Sequence, residues 1–319
     1  MRSAVAFLLL AVTASAFPQN YPSKPLRIVI PAAPGGGPDV LTRQLGQKLA
    51  ELLGQPVVVE NKVGAGGALA AQYVAQSAPD GYTVLLGSNI HLIQKHLTPA
   101  VGFDPIGDFA PVSNLLSSPT VMLVRADHSA RTVRDIIASA RQSPGRMNYG
   151  SGGVGTSAHL AGATLAALGG FKAEHIPHKG TVEIILSLLR GDTDFAFPVS
   201  STAIPQVKSG KLRALATTGA RRMAELPEVP TLAELMKSEL AVQESWFGIW
   251  APAKTPPEIL KTLHAGIVKA LADPQLRQQF EASGGVPSPS ESPAAFAAFV
   301  RSENLKWAEI VKLSAAKAG

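Results

Sequence analysis

The chain of 319 residues contains no cysteine. That excludes disulfides, thiolate catalysis, cysteine-ligated zinc and a lipid-modified cysteine, and leaves the hydrophobic core as the source of stability. Aromatic residues make up only 6% of the sequence, and the 29 Lys and Arg are scattered, with Arg221-Arg222 the densest pair. A nucleic-acid surface needs a clustered basic stripe, so no nucleic-acid partner is expected. The formal charge of +6 suits an anionic small ligand and is equally compatible with plain solubility. Charged residues are also few, at 16% against 46% hydrophobic, which excludes a disordered chain. Beyond the N-terminus, Pro and Gly interrupt every run that approaches the ~18 apolar residues of a membrane span.

The N-terminus is different. Arg2 precedes the apolar run Ala4 to Val12, and Ala14-Ser15-Ala16 offers an A-x-A cleavage site. Residues 1–16 therefore read as a secretory signal peptide, and export to the periplasm is expected. The remaining length exceeds what one core usually serves, so two lobes are expected.

Strand-like and helical segments alternate. Leu26 to Ile30 is a β-rich run, and Pro38 to Leu53 is helical, with Leu41, Leu45 and Leu49 at intervals of four and Gly54 as a stop. Pro56 to Glu60 and Thr83 to Leu86 are strands, with Gly64-Ala65-Gly66-Gly67 opening an alanine-rich helix between them. A second series repeats the rhythm: a helix from Thr132 to Gln142, a strand at Met147 to Tyr149, and a helix over Thr156 to Leu168. Strands at His175 to His178, Asp194 to Phe197 and Leu212 to Thr217 follow, with a helix over Val182 to Leu189. After a strand at Trp246 to Trp250 the C-terminus is helical. This is an α/β pattern, each lobe a mostly parallel sheet flanked by helices.

Two glycine-rich turns precede helices: Gly35-Gly36-Gly37, and Gly150-Ser151-Gly152-Gly153-Val154-Gly155. Helix N-termini present unpaired N–H groups and the positive end of the dipole, so such turns can receive an anion. The first is no P-loop, because Pro38-Asp39 follows where a lysine is required. Asp39 fits better as a helix cap. The second matches G-x-G-x-x-G, and Glu174 lies nineteen residues past Gly155. But Glu174 precedes the next strand instead of ending it, so a dinucleotide site and a cofactor are not expected.

Catalytic patterns are missing. There is no G-x-S-x-G elbow and no H-E-x-x-H. His175 and His178 are three apart on a strand, so they point to opposite faces and cannot share a metal. Neither an enzyme nor a metal site is expected.

Read in order, these motifs identify a family. The chain resembles the extracytoplasmic solute receptors of tripartite tricarboxylate transporters, the Bug-type receptors. The matching pieces are the Pro34 to Asp39 turn, "GQPVVVENKVGAGG" from Gly54, "APDGYTVLLG" from Ala78 and "PGRMNYGSGGVGTSAHLAG" from Pro144. "GKLRALATTGARR" from Gly210, "LPEVPTLAEL" from Leu226 and "SWFGIWAPAKTPPEIL" from Ser245 complete the series.

The resemblance implies a two-lobed type II periplasmic binding protein, with residues 17–120 and 247–319 as the first lobe and 121–246 as the second. It implies a cleft that holds a small organic acid, with Ala33, Gly35, Gly36, Ser88 and Asn89 on one jaw. Ser151, Gly155, Thr156 and Ser157 form the other jaw, and Ser200 and Ser201 line the cleft. Asp39 and His178 are included as candidates, each either touching ligand or serving the structure. The chain departs from the family pattern at Ala163, His178, Phe197-Pro198 and the segment Ile90 to Gly102.

The function implied is capture of a carboxylate-bearing metabolite by a monomer and its delivery to membrane transporter subunits. Hinges are expected around Leu115 to Val124 and Gln243 to Trp250. The competing assignments are an exported hydrolase on the same scaffold and an adaptor for a membrane sensor kinase.

Overall fold

The structure, a computed structural model, describes residues 21–282 and 285–314. The signal-peptide assignment to residues 1–16 lies outside the described residues. The chain opens with β1 (Leu26–Ile30), α1 (Gly37–Leu53), β2 (Val57–Asn61), α2 (Ala68–Ala75), β3 (Thr83–Ser88), α3 (Asn89–Leu97) and β4 (Phe109–Pro119). The second series is β5 (Val121–Arg125), α4 (Val133–Gln142), β6 (Asn148–Ser151), α5 (Ser157–Gly169), β7 (Glu174–Pro177), α6 (Thr181–Arg190), β8 (Phe195–Ala196), α7 (Ser200–Lys208), β9 (Leu212–Thr217) and α8 (Leu232–Met236). The chain closes with β10 (Glu244–Pro252), α9 (Pro257–Leu271), α10 (Pro274–Ala282), β11 (Val286–Pro287) and α11 (Pro293–Ser314).

Local signals explain most boundaries. Leu45 and Leu49 of α1 are buried, and Gly54 ends the helix in the left-handed conformation at φ 66°, its N–H donating to Ala50 O. In α4, Thr132 Oγ1 accepts from Asp135 N at 3.1 Å while Asp135 Oδ2 accepts from Thr132 N at 2.9 Å, a reciprocal cap. Asp39 is not the cap of α1. Gly36 holds that position, and no side chain caps it.

Two sheets result, ordered β11-β4-β10-β3-β1-β2 and β7-β6-β8-β5-β9. Both are mixed, not mostly parallel. Parallel pairing is confined to β2-β1-β3 and β7-β6-β8, the strands joined through helical crossovers. The strands β4, β5 and β10, at the passages between the sheets, pair antiparallel. Alternation of helix and strand predicts only the crossover part, because chain reversal between lobes leaves no local signature.

The chain passes between the sheets at Pro119–Val121 and again at Gln243–Glu244. Thr120 N donates to Thr218 Oγ1 at 2.9 Å, and Thr218 Oγ1 donates to Gln243 O at 2.6 Å, so the two passages are sewn together. Each sheet is covered on both faces. Trp246, Trp250, Phe296 and Trp307 pack one face of the first sheet, and Leu45, Leu49, Ile267 and Phe280 the other. Leu160 of α5 joins the first of these clusters, so the lobes share packed surface. Among the described residues, no helix is long and apolar enough to cross a membrane.

Candidate functional site

A cleft of about 390 Å³ opens where the C-terminal ends of β1 and β3 face the loop after β6. This is where doubly wound sheets place their ligands. Its first-lobe wall comprises Pro31, Ala32 and Pro38 from the turn before α1, Val63, Gly64, Gly66 and Gly67 from the turn before α2, and Ser88, Ile90, Ile93 and Gln94 around α3. Phe247 of β10 completes that wall. The second-lobe wall is Val154, Gly155 and Thr156. Three of these residues are helix N-caps: Gly67 for α2, Ser88 for α3 and Thr156 for α5. The positive ends of helices from both lobes therefore converge on one space.

Local bonding shapes each wall. Ser88 N donates to His91 Nδ1 at 3.1 Å, which fixes the imidazole proton on Nε2. Burial holds His91 neutral by pushing its pKa down to about 4. On the other side, Gly155 N donates to His159 Nδ1 at 3.2 Å, and His159 N donates to Thr156 Oγ1 at 3.3 Å. Gly155 stands at φ +79°, and a Cβ there would lie 2.8 Å from Leu97 Cδ1 of the first lobe. Only glycine permits both the backbone conformation and this approach of the lobes.

The sequence-predicted residues divide by location. Ser88, Gly155 and Thr156 line the cleft. Asn89 and Ser157 are buried beside it and bond to each other across the lobes. Ala33, Gly35 and Gly36 form the tip of a turn whose flanks, Pro31, Ala32 and Pro38, are the parts that reach the cleft. Asp39 is committed to holding that turn. Its Oδ2 accepts from Gly35 N at 2.9 Å, its Oδ1 accepts from Asn61 Nδ2 at 2.9 Å, and Arg43 pairs with both oxygens. These bonds hold its pKa well below the usual carboxylate range, the Arg43 bond contributing most.

Ser151 is buried, and its Oγ lies 2.6 Å from His175 Nε2 while accepting from Gly153 N at 3.1 Å. It shapes the loop from behind. His178 is half-buried against Gly150, its N donating to Ser151 O at 2.8 Å. Ser200 Oγ lies 3.3 Å from Ser118 Oγ near the first passage, and Ser201 is half-buried beside it.

Sequence reasoning did not nominate Val63, Gly64, Gly66, Gly67, Ile90, Ile93, Gln94, Val154 or Phe247. The turn Gly64–Gly67 carries the same signature as the two turns singled out, glycines directly before a helix, and could have been found by it. Of the departures from the family pattern, the segment Ile90 to Gly102 supplies cleft residues; Ala163, His178, Phe197 and Pro198 are not among the lining residues.

Comparison with known proteins gives the family and the fold. The family model "Tripartite tricarboxylate transporter family receptor" matches residues 41–315. The protein BugT of Bordetella pertussis is 33% identical over 300 residues, covering 93% of this chain and 91% of its own. A TctC solute binding protein from Polaromonas superposes with a TM-score of 0.80 at 30% identity, covering 92% of this chain and 99% of that one. A Rhodopseudomonas palustris protein with adipate gives 0.78 at 28% identity over 93% and 99% of the two chains. MatC of the same organism, with bound malate, gives 0.75 at 29% identity over 91% and 100%. The two-lobed fold is that of the periplasmic solute-binding proteins, and the chain belongs to the tripartite tricarboxylate transporter receptor family.

Proposed function

We propose that this chain is a periplasmic receptor that closes its two lobes, residues 17–120 with 247–319 and residues 121–246 but for Glu244–Trp246, which β10 carries in the first sheet, around a small carboxylate-bearing metabolite and delivers it to membrane transporter subunits. The observation that carries this is the convergence of Gly67, Ser88 and Thr156, three helix N-caps drawn from both lobes, on one cleft. Amides and hydroxyls at such positions hold a carboxylate by charge-assisted hydrogen bonds once closure excludes water. No lining side chain is cationic, which keeps release feasible. The adipate and malate on structural neighbours support the ligand class.

A ligand that contacts both lobes stabilises the closed state by its differential affinity for it. The passages at Thr120 and Gln243 are the hinges in this scheme. A hydrolase would have to use one of two serine–histidine contacts, Ser151–His175 or Ser88–His91, but Ser151 is fully buried with its hydroxyl engaged by Gly153, and His91 Nδ1 already accepts from Ser88 N. The receptor reading is tested by thermal denaturation of the monomer against mono-, di- and tricarboxylates. Binding to the native state raises Tm. A complete panel with no shift overturns it. Pull-down of membrane partners then separates delivery to a transporter from signalling.

A further inference from the structure

We infer that the cleft selects a ligand with a single carboxylate and an apolar body, and rejects dicarboxylates of the same shape. This rests on the receptor reading above and narrows its ligand class. The polar inventory of the cleft is small: the Ser88 and Thr156 hydroxyls, the Gln94 amide and glycine backbone. The remaining wall is aliphatic or aromatic, with Val63, Ile90, Ile93, Val154 and Phe247 facing the space.

None of the lining side chains carries a charge. Nearby cations are committed elsewhere: Arg43 pairs with Asp39 at 2.9 Å, and Lys62 with Glu60 at 2.8 Å while lying over the Tyr73 ring. One carboxylate can be met by the converging helix N-termini. Once the lobes close around the ligand, a second would give up its water against hydrocarbon with no cation to receive it, which is strongly unfavourable for an ionised group.

The apolar wall is also unusually open to solvent. Val63, Ile90 and Val154 are 56%, 40% and 46% exposed. They come from three separate segments, two on one lobe and one on the other, and meet only here. An apolar ligand body would remove all three from water, a gain proportional to the area covered. Gln94, packed so close to Gly66 that a Cβ there would lie 2.9 Å from its Oε1, is the one amide side chain among the lining residues and can meet a single neutral polar group on that body.

The test uses matched pairs that differ in one terminus: 4-methylbenzoate against terephthalate, and octanoate against suberate. Titration calorimetry of the full mature chain is expected to give the monocarboxylate of each pair an affinity at least ~10-fold tighter. The variant Ile90→Arg, at a position 40% exposed, places a cation in the wall, and its Tm reports whether the fold is kept. It is expected to narrow or reverse that gap, with the gain for the dicarboxylate weakening in high salt. Dicarboxylates that bind as well as their partners overturn the inference and leave the receptor reading standing. An unchanged gap in Ile90→Arg protein of native Tm overturns it too. Failure of every carboxylate to bind overturns both together.

Discussion

Asn89 Nδ2 of the first lobe donates a hydrogen bond to Ser157 Oγ of the second at 3.2 Å, and that same oxygen lies 2.8 Å from Ser245 Oγ on β10. Asn89 and Ser157 are 2% and 7% exposed. The bond ties the start of α3 to the start of α5 directly beside the cleft, so under the proposed closure it helps hold the lobes together.

Ser157→Ala removes the shared oxygen and leaves the Asn89 amide buried without a partner. The expected loss is ~1–2 kcal/mol of closure, seen as a roughly 5–30-fold weaker affinity for a bound carboxylate. Asn89→Ala cuts the same bond but spares the Ser157–Ser245 contact, so the double variant should lose little more than Ser157→Ala alone. Calorimetric titration of the four proteins checks this; fully additive losses would show that the two residues act independently.

Gly155 and Gly145 share a left-handed backbone, at φ +79° and +75°, but differ in surroundings. A Cβ at Gly145 meets nothing within 4 Å, whereas one at Gly155 presses on Leu97 across the lobes. Alanine at either position should cost about 1–2 kcal/mol of stability from the backbone alone. Only Gly155→Ala should also weaken ligand binding, by roughly tenfold or more for each ~1.4 kcal/mol of closure lost. Denaturant melts and ligand titrations of both variants separate the two effects.

His91 predicts a pH dependence of stability. It is fully buried, its Nδ1 accepts from Ser88 N, and its Nε2 has no hydrogen-bond partner. Burial lowers its pKa from the ordinary 6.5 to about 4. As pH falls below about 6.5 the unfolded chain takes up the proton first, so stability declines until about pH 4 and this group adds no further slope below that. Above pH 6.5 it contributes nothing. The decline should be on the order of 3 kcal/mol, at ~1.4 kcal/mol per pH unit of the gap. His159, lowered to about 4 by burial and by His175, adds in the same direction. Urea melts between pH 7 and pH 4 should show a shallower slope in His91→Gln.

Glu303 ties two tryptophans into the core of the first lobe. Its Oε2 accepts from Trp246 Nε1 at 3.0 Å and from Trp307 Nε1 at 2.9 Å, and Lys306 pairs with its other oxygen. Glu303→Ala would strand two buried indole donors, at a cost of roughly 2–5 kcal/mol. Glu303→Gln keeps one acceptor and should cost less. Both are read from denaturant midpoints, with tryptophan fluorescence reporting the changed environment.

Where signals were local, the sequence was legible. The stripe Leu45 and Leu49 with Gly54 marks α1, and Thr132 with Asp135 marks the start of α4. Each depends on residues within one or two turns of one another. The helix α3 is harder to read. Ile90 faces the cleft while His91 and Leu92 face the core, and nothing in their order says which side will be a wall and which an interior. Asp39 is a similar case: its partner Asn61 lies on β2, so its role in holding the turn follows from the pairing of β1 with β2.

By itself the sequence determined the chemistry that could be present: no thiol, no nucleophile motif, no phosphate loop, and glycine turns opening helices in two α/β series. Only the tertiary structure decided which of those turns meet. The cleft takes the flanks of the first turn and three glycines of another, Gly64, Gly66 and Gly67, and it sets three N-caps against an uncharged apolar wall. The reason is physical. Local interactions fix backbone conformation and helix ends, whereas the residues facing the cleft depend on how the passages at Thr120 and Gln243 set one sheet against the other.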